Sequence, residues 1–190
     1  NPAYSYVAPA ITFNGSSYRS QVGEVIEDEY NEYVGDPDKI VALFQEGLDE
    51  LGVETPIEDI TLTYLTSGST TEVQAEREYI QQSLEETLGL TVELSVAGDS
   101  SLFIADRNEG NYDFFLGGWY SDYNDPLDFL YTNYTDAYGM SFGGYSNTDY
   151  DALADQLVGE TDSDKRLDIY KQMEQILLLD DCAFAPIYYA

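Results

Sequence analysis

The stretch ITLTYLTSGSTTEVQAEREYIQQSLEETLGLTVELSV, residues 60–96, decides the fold class. Residues 60–66 are rich in β-branched side chains and read as a strand. Ser69 with Glu72 forms a capping-box pattern, and the helix it opens carries Val73, Ile80, Leu84 and Leu88 on one face. Gly89 suits its exit. Residues 90–96 then alternate cleanly, with Leu90, Val92, Leu94 and Val96 one way and Thr91, Glu93 and Ser95 the other. Strand, helix and strand joined by short links imply a parallel βαβ unit with a right-handed crossover.

Working outward, Asp36 caps a predicted helix with Pro37 at its first position and Gly52 past its end. Its apolar stripe is Ile40, Leu43, Phe44, Leu48 and Leu51. Residues 1–35 are rich in Tyr, Gly, Ser and Pro without a sustained period, and read as an irregular arm or connection. Residues 36–190 read as a single α/β lobe. Within it, Asp99 or Ser100 caps a short helix through Arg107, and residues 112–116 form the next strand. Asn147 caps a helix with Tyr150, Leu153, Ala154, Leu157 and Val158 inward. Ser163 starts another, with Leu167, Tyr170, Met173 and Leu177 inward, and residues 184–189 close the lobe as a buried strand. The expected architecture is α/β: one mixed sheet flanked by helices.

Composition removes several function classes. The apolar fraction of 43% is ample for a packed core, so this is no disordered acidic tail. Thirty-seven acidic residues against seven basic ones give a net charge of −30. Such a field repels nucleic acids and anionic lipid headgroups, and no basic patch offsets it. The charge is spread along the chain, as on a solvated acidic surface. No transmembrane run and no signal peptide are visible. The chain opens on Asn1 rather than methionine, which reads as a mature or excised piece. Scarce lysine and 18 tyrosines suit an exported surface protein. Cys182 is alone, so no disulfide forms within the chain, and its apolar neighbours (Leu177, Leu178, Leu179, Ala183, Phe184) predict a buried, inert thiol.

The absence of histidine excludes Ser-His-Asp chemistry and the commonest transition-metal ligand. No phosphate loop is present. Asn147, Asp149 and Asp151 begin like a calcium loop, but Ala152 stands where glycine is needed and Val158 where the closing glutamate belongs. No metal or cofactor is therefore expected. Asn-x-Ser/Thr sequons at Asn14 and Asn133 are explained by chance. Asp122, Asp125 and Asp128 are three apart and keep an acidic hydrolase with paired aspartates open. The alternative is binding. The run GGWYSDYNDPLDFL, residues 117–130, follows an apolar strand with two glycines, an indole at Trp119 and an acid at Asp122. In open α/β sheets, ligands sit at such strand ends. An acid framed by aromatics suits a ligand with a positive amine. The structural alternatives are a cap on the following turn for Asp122 and plain core for Trp119; the two glycines before the indole and the polar cluster after it favour a site wall.

The run Gly118-Trp119-x-x-Asp122-Tyr123-Asn124-Asp125-Pro126 resembles the signature of extracellular solute-binding proteins of peptide ABC importers, the oligopeptide- and dipeptide-binding type. Three further landmarks occur in the right order: Asp36-Pro37-Asp38-Lys39 with a helix ending in Leu-Gly, Tyr145-Ser146-Asn147 with Tyr150-Asp151, and Ala185-Pro186-Ile187-Tyr188-Tyr189. The resemblance covers essentially the whole chain. It implies one lobe of a two-lobe, type II periplasmic-binding-protein-like fold, its partner lobe absent from this chain. It also implies an exported protein, lipid-anchored at the cell surface or periplasmic, that captures peptides by lobe closure, hands them to a membrane ABC permease and does no chemistry. By the same resemblance Asp122 pairs with the peptide's α-ammonium group, Trp119 walls a side-chain pocket, and main-chain groups near Gly118, Tyr120 and Asp122 bond the extended peptide. Tyr123, Asn124, Tyr188 and Tyr189 complete the expected ligand-binding set. One departure stands out: the nearest basic residue before the motif is Arg107, so no partner for a peptide's C-terminal carboxylate is evident. The partner lobe supplies it, the ligand extends past the cleft, or the ligand is not a peptide; relatives of this architecture that bind sugars or nickel complexes keep the last reading open.

Overall fold

The computed structural model describes residues 2–135 and 144–189. Asn1 and Ala190, the ends from which an excised piece is read, lie outside them. In chain order the elements are strands β1 (Thr12–Phe13) and β2 (Ser16–Ser17), helices α1 (Tyr18–Val22), α2 (Glu27–Tyr33) and α3 (Pro37–Glu50), β3 (Thr61–Ser67), α4 (Thr71–Leu88), β4 (Thr91–Ala97), α5 (Ser100–Glu109), β5 (Phe114–Phe115), α6 (Pro126–Leu130), α7 (Thr148–Gln156) and α8 (Ser163–Gln175). They fall into two compact units, residues 33–118 and residues 1–32 with 119–190.

The first unit contains the opening stretch. Its sheet has the order β4-β3-β5, and both pairings are parallel. The register Leu62↔Val92 and Tyr64↔Leu94 puts the alternating apolar residues of both strands on one face. That face packs with Phe44 of α3, with Ile80, Leu84 and Leu88 of α4, and with Phe114, stacked on Tyr64 at 4.6 Å between ring centres. Leu43 of α3 and Leu51, just past its end, are exposed, unlike the rest of the expected stripe. Thr70, not Ser69, caps α4, its hydroxyl accepting from the Val73 N–H, and Gly89 ends the helix in the left-handed conformation. Along the outer margin of β4, the side chain of Gln81 donates to the Val92 carbonyl (2.7 Å), and the Val92 N–H donates to Glu85 (3.0 Å). Strand β5 is shorter than the expected 112–116. The Asp113 carboxylate, in place of a main-chain carbonyl, takes the Thr63 N–H at 2.6 Å, and the ladder narrows there.

In the second unit the N-terminal segment is not irregular throughout. It forms the antiparallel β1–β2 pair and α1, and buries Val7, Ile11, Phe13 and Tyr18 against Tyr150, Tyr170, Met173 and Leu177 of the C-terminal helices. Glu174, wholly buried, ties the two ends together. It accepts from the N–H groups of Tyr6 (3.1 Å) and Val7 (2.9 Å), the Tyr18 hydroxyl (3.0 Å) and the buried Arg19 guanidinium (2.6 Å). On α7, Tyr150, Ala154 and Leu157 face inward as expected, but Val158 is exposed because the helix stops at Gln156 and breaks the period. The closing strand expected over 184–189 is reduced to one bridge, Pro2 with Tyr188. Pro186 has no N–H to give a ladder. The sequon at Asn133 is fully buried, which removes it as an acceptor for a glycan.

Cys182 is exposed, contrary to the buried thiol expected. After α8 the chain passes through a wide turn, Ile176–Asp180, and the Ala183 N–H returns to the Leu177 carbonyl (2.8 Å). That closure puts Cys182 in the left-handed conformation, φ 48°, at the outward corner. A thiol reagent is expected to modify Cys182 in the folded protein without denaturant; modification only on unfolding would contradict this placement.

Burial also acts on the phenols of this unit. Tyr18, Tyr150 and Tyr170 are pushed well above the ordinary tyrosine value of 10.0, chiefly by burial, with Glu174 beside Tyr18 and Asp125 beside Tyr170 adding to it. Burial pushes Tyr189 up to about 12. The folded state thus favours the neutral phenols. Their contribution to stability is complete below the unfolded value of 10.0 and is lost as pH rises through the folded values. An alkaline titration followed by phenolate absorbance should show exposed tyrosines ionising first and the buried ones only with unfolding. One smooth ionisation of all tyrosines near their ordinary value would contradict it. Among the described residues, no helix is long and apolar enough to cross a membrane.

Candidate functional site

The segment singled out for binding forms loop 119–125, which leads into α6. Three side-chain attachments hold it. Asp125 caps α6, accepting the Leu127 N–H at 2.9 Å, with Pro126 at the first helical position where its missing N–H costs nothing. The same carboxylate accepts from the Tyr170 hydroxyl (2.9 Å), and Arg166 donates to that hydroxyl. Asn124 clips the loop to β1: its amide oxygen accepts the Thr12 N–H (2.8 Å) and its amide nitrogen donates to the Thr12 hydroxyl (2.6 Å). Asp128, buried on α6, accepts two donors at one oxygen, the Trp119 indole N–H (2.9 Å) and the Asp122 main-chain N–H (3.0 Å).

The anchored loop leaves a particular set of groups outside. The Asp122 side chain is exposed, and no hydrogen bond or ion pair to its carboxylate occurs among the described residues. Tyr120, 80% exposed, and Tyr123, 52% exposed, flank it. The Tyr123 phenol is raised above its ordinary value by partial burial, then by the charges of Asp128 and Asp125. Trp119 is half-buried, one part of it packed on the core of the unit and its N–H turned to Asp128. The loop leaves an exposed carboxylate, flanked in sequence by exposed tyrosines, on a backbone held by Asp125, Asn124 and Asp128.

The expected site residues divide accordingly. Trp119, Tyr120, Asp122 and Tyr123 lie together on the loop. Asn124 is on it too, with its amide committed to Thr12. Gly118 is the last residue of the other unit, exposed, with open space where a β-carbon would stand. Tyr188 and Tyr189 lie at the bridge with Pro2, and the Tyr189 hydroxyl donates to the Ser5 carbonyl (2.8 Å). Sequence reading did not find Asp128 and Thr12 as supports. Asp128 was visible only as one of three acids at equal spacing; its place one turn inside a Pro-initiated helix is the signal that singles it out. Among the described residues, no group of three or more potential ligands gathers to hold a metal ion.

The family described as bacterial extracellular solute-binding proteins, family 5, middle, matches residues 1–141. The dipeptide-binding protein DppE of Bacillus subtilis is 30% identical over 189 residues, which is 99% of this chain and 32% of that protein. A structure of Listeria monocytogenes OppA bound to peptide superposes with a TM-score of 0.79 at 32% identity, covering 100% of this chain and 34% of that one. The substrate-binding domain of an oligopeptide ABC transporter from Bacillus anthracis gives a TM-score of 0.78 at 26% identity, covering 100% of this chain and 35% of that one. The chain therefore spans about a third of the length of the proteins it matches.

Proposed function

Because this chain belongs to the bacterial extracellular solute-binding proteins of family 5, we propose that it carries the peptide-binding loop of an exported ABC-importer binding protein, with Asp122 as the partner of the peptide's α-ammonium group. Its fold class is α/β, part of the type II periplasmic-binding-protein-like architecture. The observation that carries the reading is the loop's division of labour: Asp125, Asn124 and Asp128 hold it, and Asp122 is left facing out. The names of the relatives, a dipeptide-binding protein and a peptide-bound OppA, point to the same ligand class.

In this reading an ammonium group meets Asp122 and water is displaced as the second lobe closes. Charge-assisted bonds are about twice as strong as neutral ones, more so once desolvated. Trp119, Tyr120 and Tyr123 supply apolar walls. The extended peptide backbone bonds to main-chain groups, which read no side chains and so tolerate many sequences. The Asp122 N–H already serves Asp128, so these main-chain bonds fall to its carbonyl and to Gly118 and Tyr120. The missing lobe supplies the partner for the ligand's other end, and the complete protein, lipid-anchored outside the membrane, delivers its cargo to a permease. It carries out no chemistry. The paired-aspartate hydrolase loses support because Asp125 and Asp128 are committed to a cap and to two N–H donors, leaving Asp122 without a free acidic partner from the motif. A sugar or a nickel complex makes poorer use of an exposed acid between aromatics than an amine does.

The test is a comparison of peptides with free and acetylated amino termini, using sequences recovered by native mass spectrometry from the complete protein. Acetylation should weaken binding at least roughly tenfold, the loss of one charge-assisted contact. Equal affinity for both forms would remove the ammonium role.

A further inference from the structure

We infer that Asp128 is the positioning residue of the binding loop: one buried carboxylate oxygen fixes the directions of both Trp119 and Asp122. This rests on the proposed role of Asp122 and adds to it the device that aims the acid. Asp128 is 5% exposed, and its Oδ2 receives the Trp119 indole N–H at 2.9 Å and the Asp122 main-chain N–H at 3.0 Å. The donors are three residues apart in sequence, so sharing one acceptor closes the intervening segment into a ring. With its N–H turned toward the interior, the peptide plane between Ser121 and Asp122 is held, and with it the position of the α-carbon from which the Asp122 side chain departs. That side chain is then presented to solvent without a hydrogen bond or ion pair of its own among the described residues. The indole is fixed by the same atom, so the wall and the charge of the site cannot move independently. Asp128 is itself held: Asp125 caps the helix that carries it, and the Asp128 N–H returns to the Asp125 carbonyl at 3.1 Å.

The acceptor is a single oxygen, and this makes the inference testable by a conservative replacement. Asparagine places a carbonyl oxygen where Oδ2 stands and keeps both bonds; alanine removes both. In the complete protein, Asp128→Ala should reduce retention of a random-sequence tripeptide pool with free amino termini by roughly tenfold or more, as expected for losing hydrogen bonds to a charged acceptor. Asp128→Asn should stay within about threefold of the unmodified protein, the scatter typical of such contacts. Retention of the N-acetylated pool should fall less than that of the free-amino pool in Asp128→Ala, because acetylated peptides have no ammonium contact to lose and feel only the loosened Trp119 wall and loop backbone.

A ligand-free readout accompanies it. Hydrogen exchange at the Asp122 amide should be slow in the unmodified protein and in Asp128→Asn, and fast in Asp128→Ala. The Trp119 indole N–H should stay protected from solvent exchange in Asp128→Asn and lose that protection in Asp128→Ala. Peptide retention unchanged by Asp128→Ala, or lost equally in Asp128→Asn, overturns the positioning role. If Asp128→Ala does not fold, rapid exchange of the Asp122 amide in the unmodified protein overturns it, and slow exchange there and in Asp128→Asn supports it. The two readings fail separately. Asp122→Ala without effect on peptide retention removes the ammonium role, while the exchange pattern still reports whether Asp128 holds the loop.

Discussion

Replacing Glu174 by alanine is expected to destabilise the unit containing it by about 3–5 kcal/mol, the usual cost of removing one partner from a buried ion pair. Four donors converge on this carboxylate, two of them main-chain N–H groups of Tyr6 and Val7. Alanine removes the shared acceptor of all four; the Arg19 guanidinium, 6% exposed, keeps the carbonyls of Gly23 (2.8 Å) and Val7 (3.2 Å) but has only Glu24, at 3.9 Å, as an acidic neighbour among the described residues. Urea unfolding of the complete protein, followed through signals from this unit, measures the loss. A change below about 1 kcal/mol, the worth of an ordinary hydrogen bond, would mean that the cluster carries no special weight. The double replacement Arg19→Met with Glu174→Leu distinguishes stranded charge from lost attraction. It should recover only the part due to the unpaired guanidinium, because the Tyr6 and Val7 N–H groups and the Tyr18 hydroxyl still lack the Glu174 acceptor. The effect reaches the binding loop as well, since the segment that Glu174 anchors carries Thr12, to which Asn124 is clipped.

Asp122→Ala in the complete protein is expected to weaken peptide binding at least tenfold. Truncating one member of a desolvated charge pair costs about 2–5 kcal/mol, or roughly 30- to 4,000-fold. The lower bound allows for water reaching an acid that is exposed in the absence of ligand. The variant should fold normally, because the Asp122 side chain has no partner among the described residues and its main-chain N–H is unaffected. Combining the variant with the acetylated peptide gives a double-mutant cycle. If carboxylate and ammonium act as a pair, the two changes together should cost no more than either alone. Full additivity would mean that they contact different groups.

The fold was legible where local pattern and final contacts coincide. Alternation along residues 90–94, the stripe on α4 and the left-handed stop at Gly89 are all local, and all appear in the structure; at the end of β4 the alternation fails, with Val96 exposed and Ala97 buried. Residues 1–35 were not legible because their order is borrowed. Strands of two residues have no period to read, and the contacts that fix Tyr6 and Val7 come from Glu174, more than 160 positions away. The closing strand misled for the opposite reason: an apolar, aromatic run suggests a strand, and Pro186 denies it a ladder. Cys182 has apolar neighbours in sequence, yet a turn of left-handed sense sends it outward. In the candidate site, the exposed acid and its aromatic flank were readable from composition around two glycines. The supports were not, because nothing in the equal spacing of Asp122, Asp125 and Asp128 tells which carboxylate turns inward.

The bonds from Gln81 and Glu85 to Val92 have a further meaning for how this protein survives in crowded surroundings. The margin of a parallel sheet is a template on which a foreign strand can dock. Two side chains one helical turn apart imitate such a strand at Val92, answering its carbonyl and its N–H together. An incoming chain must evict both before it can pair there. Helix α4 thus serves as a fender for the sheet, making aggregation at that point a competition that the molecule has already entered on its own behalf.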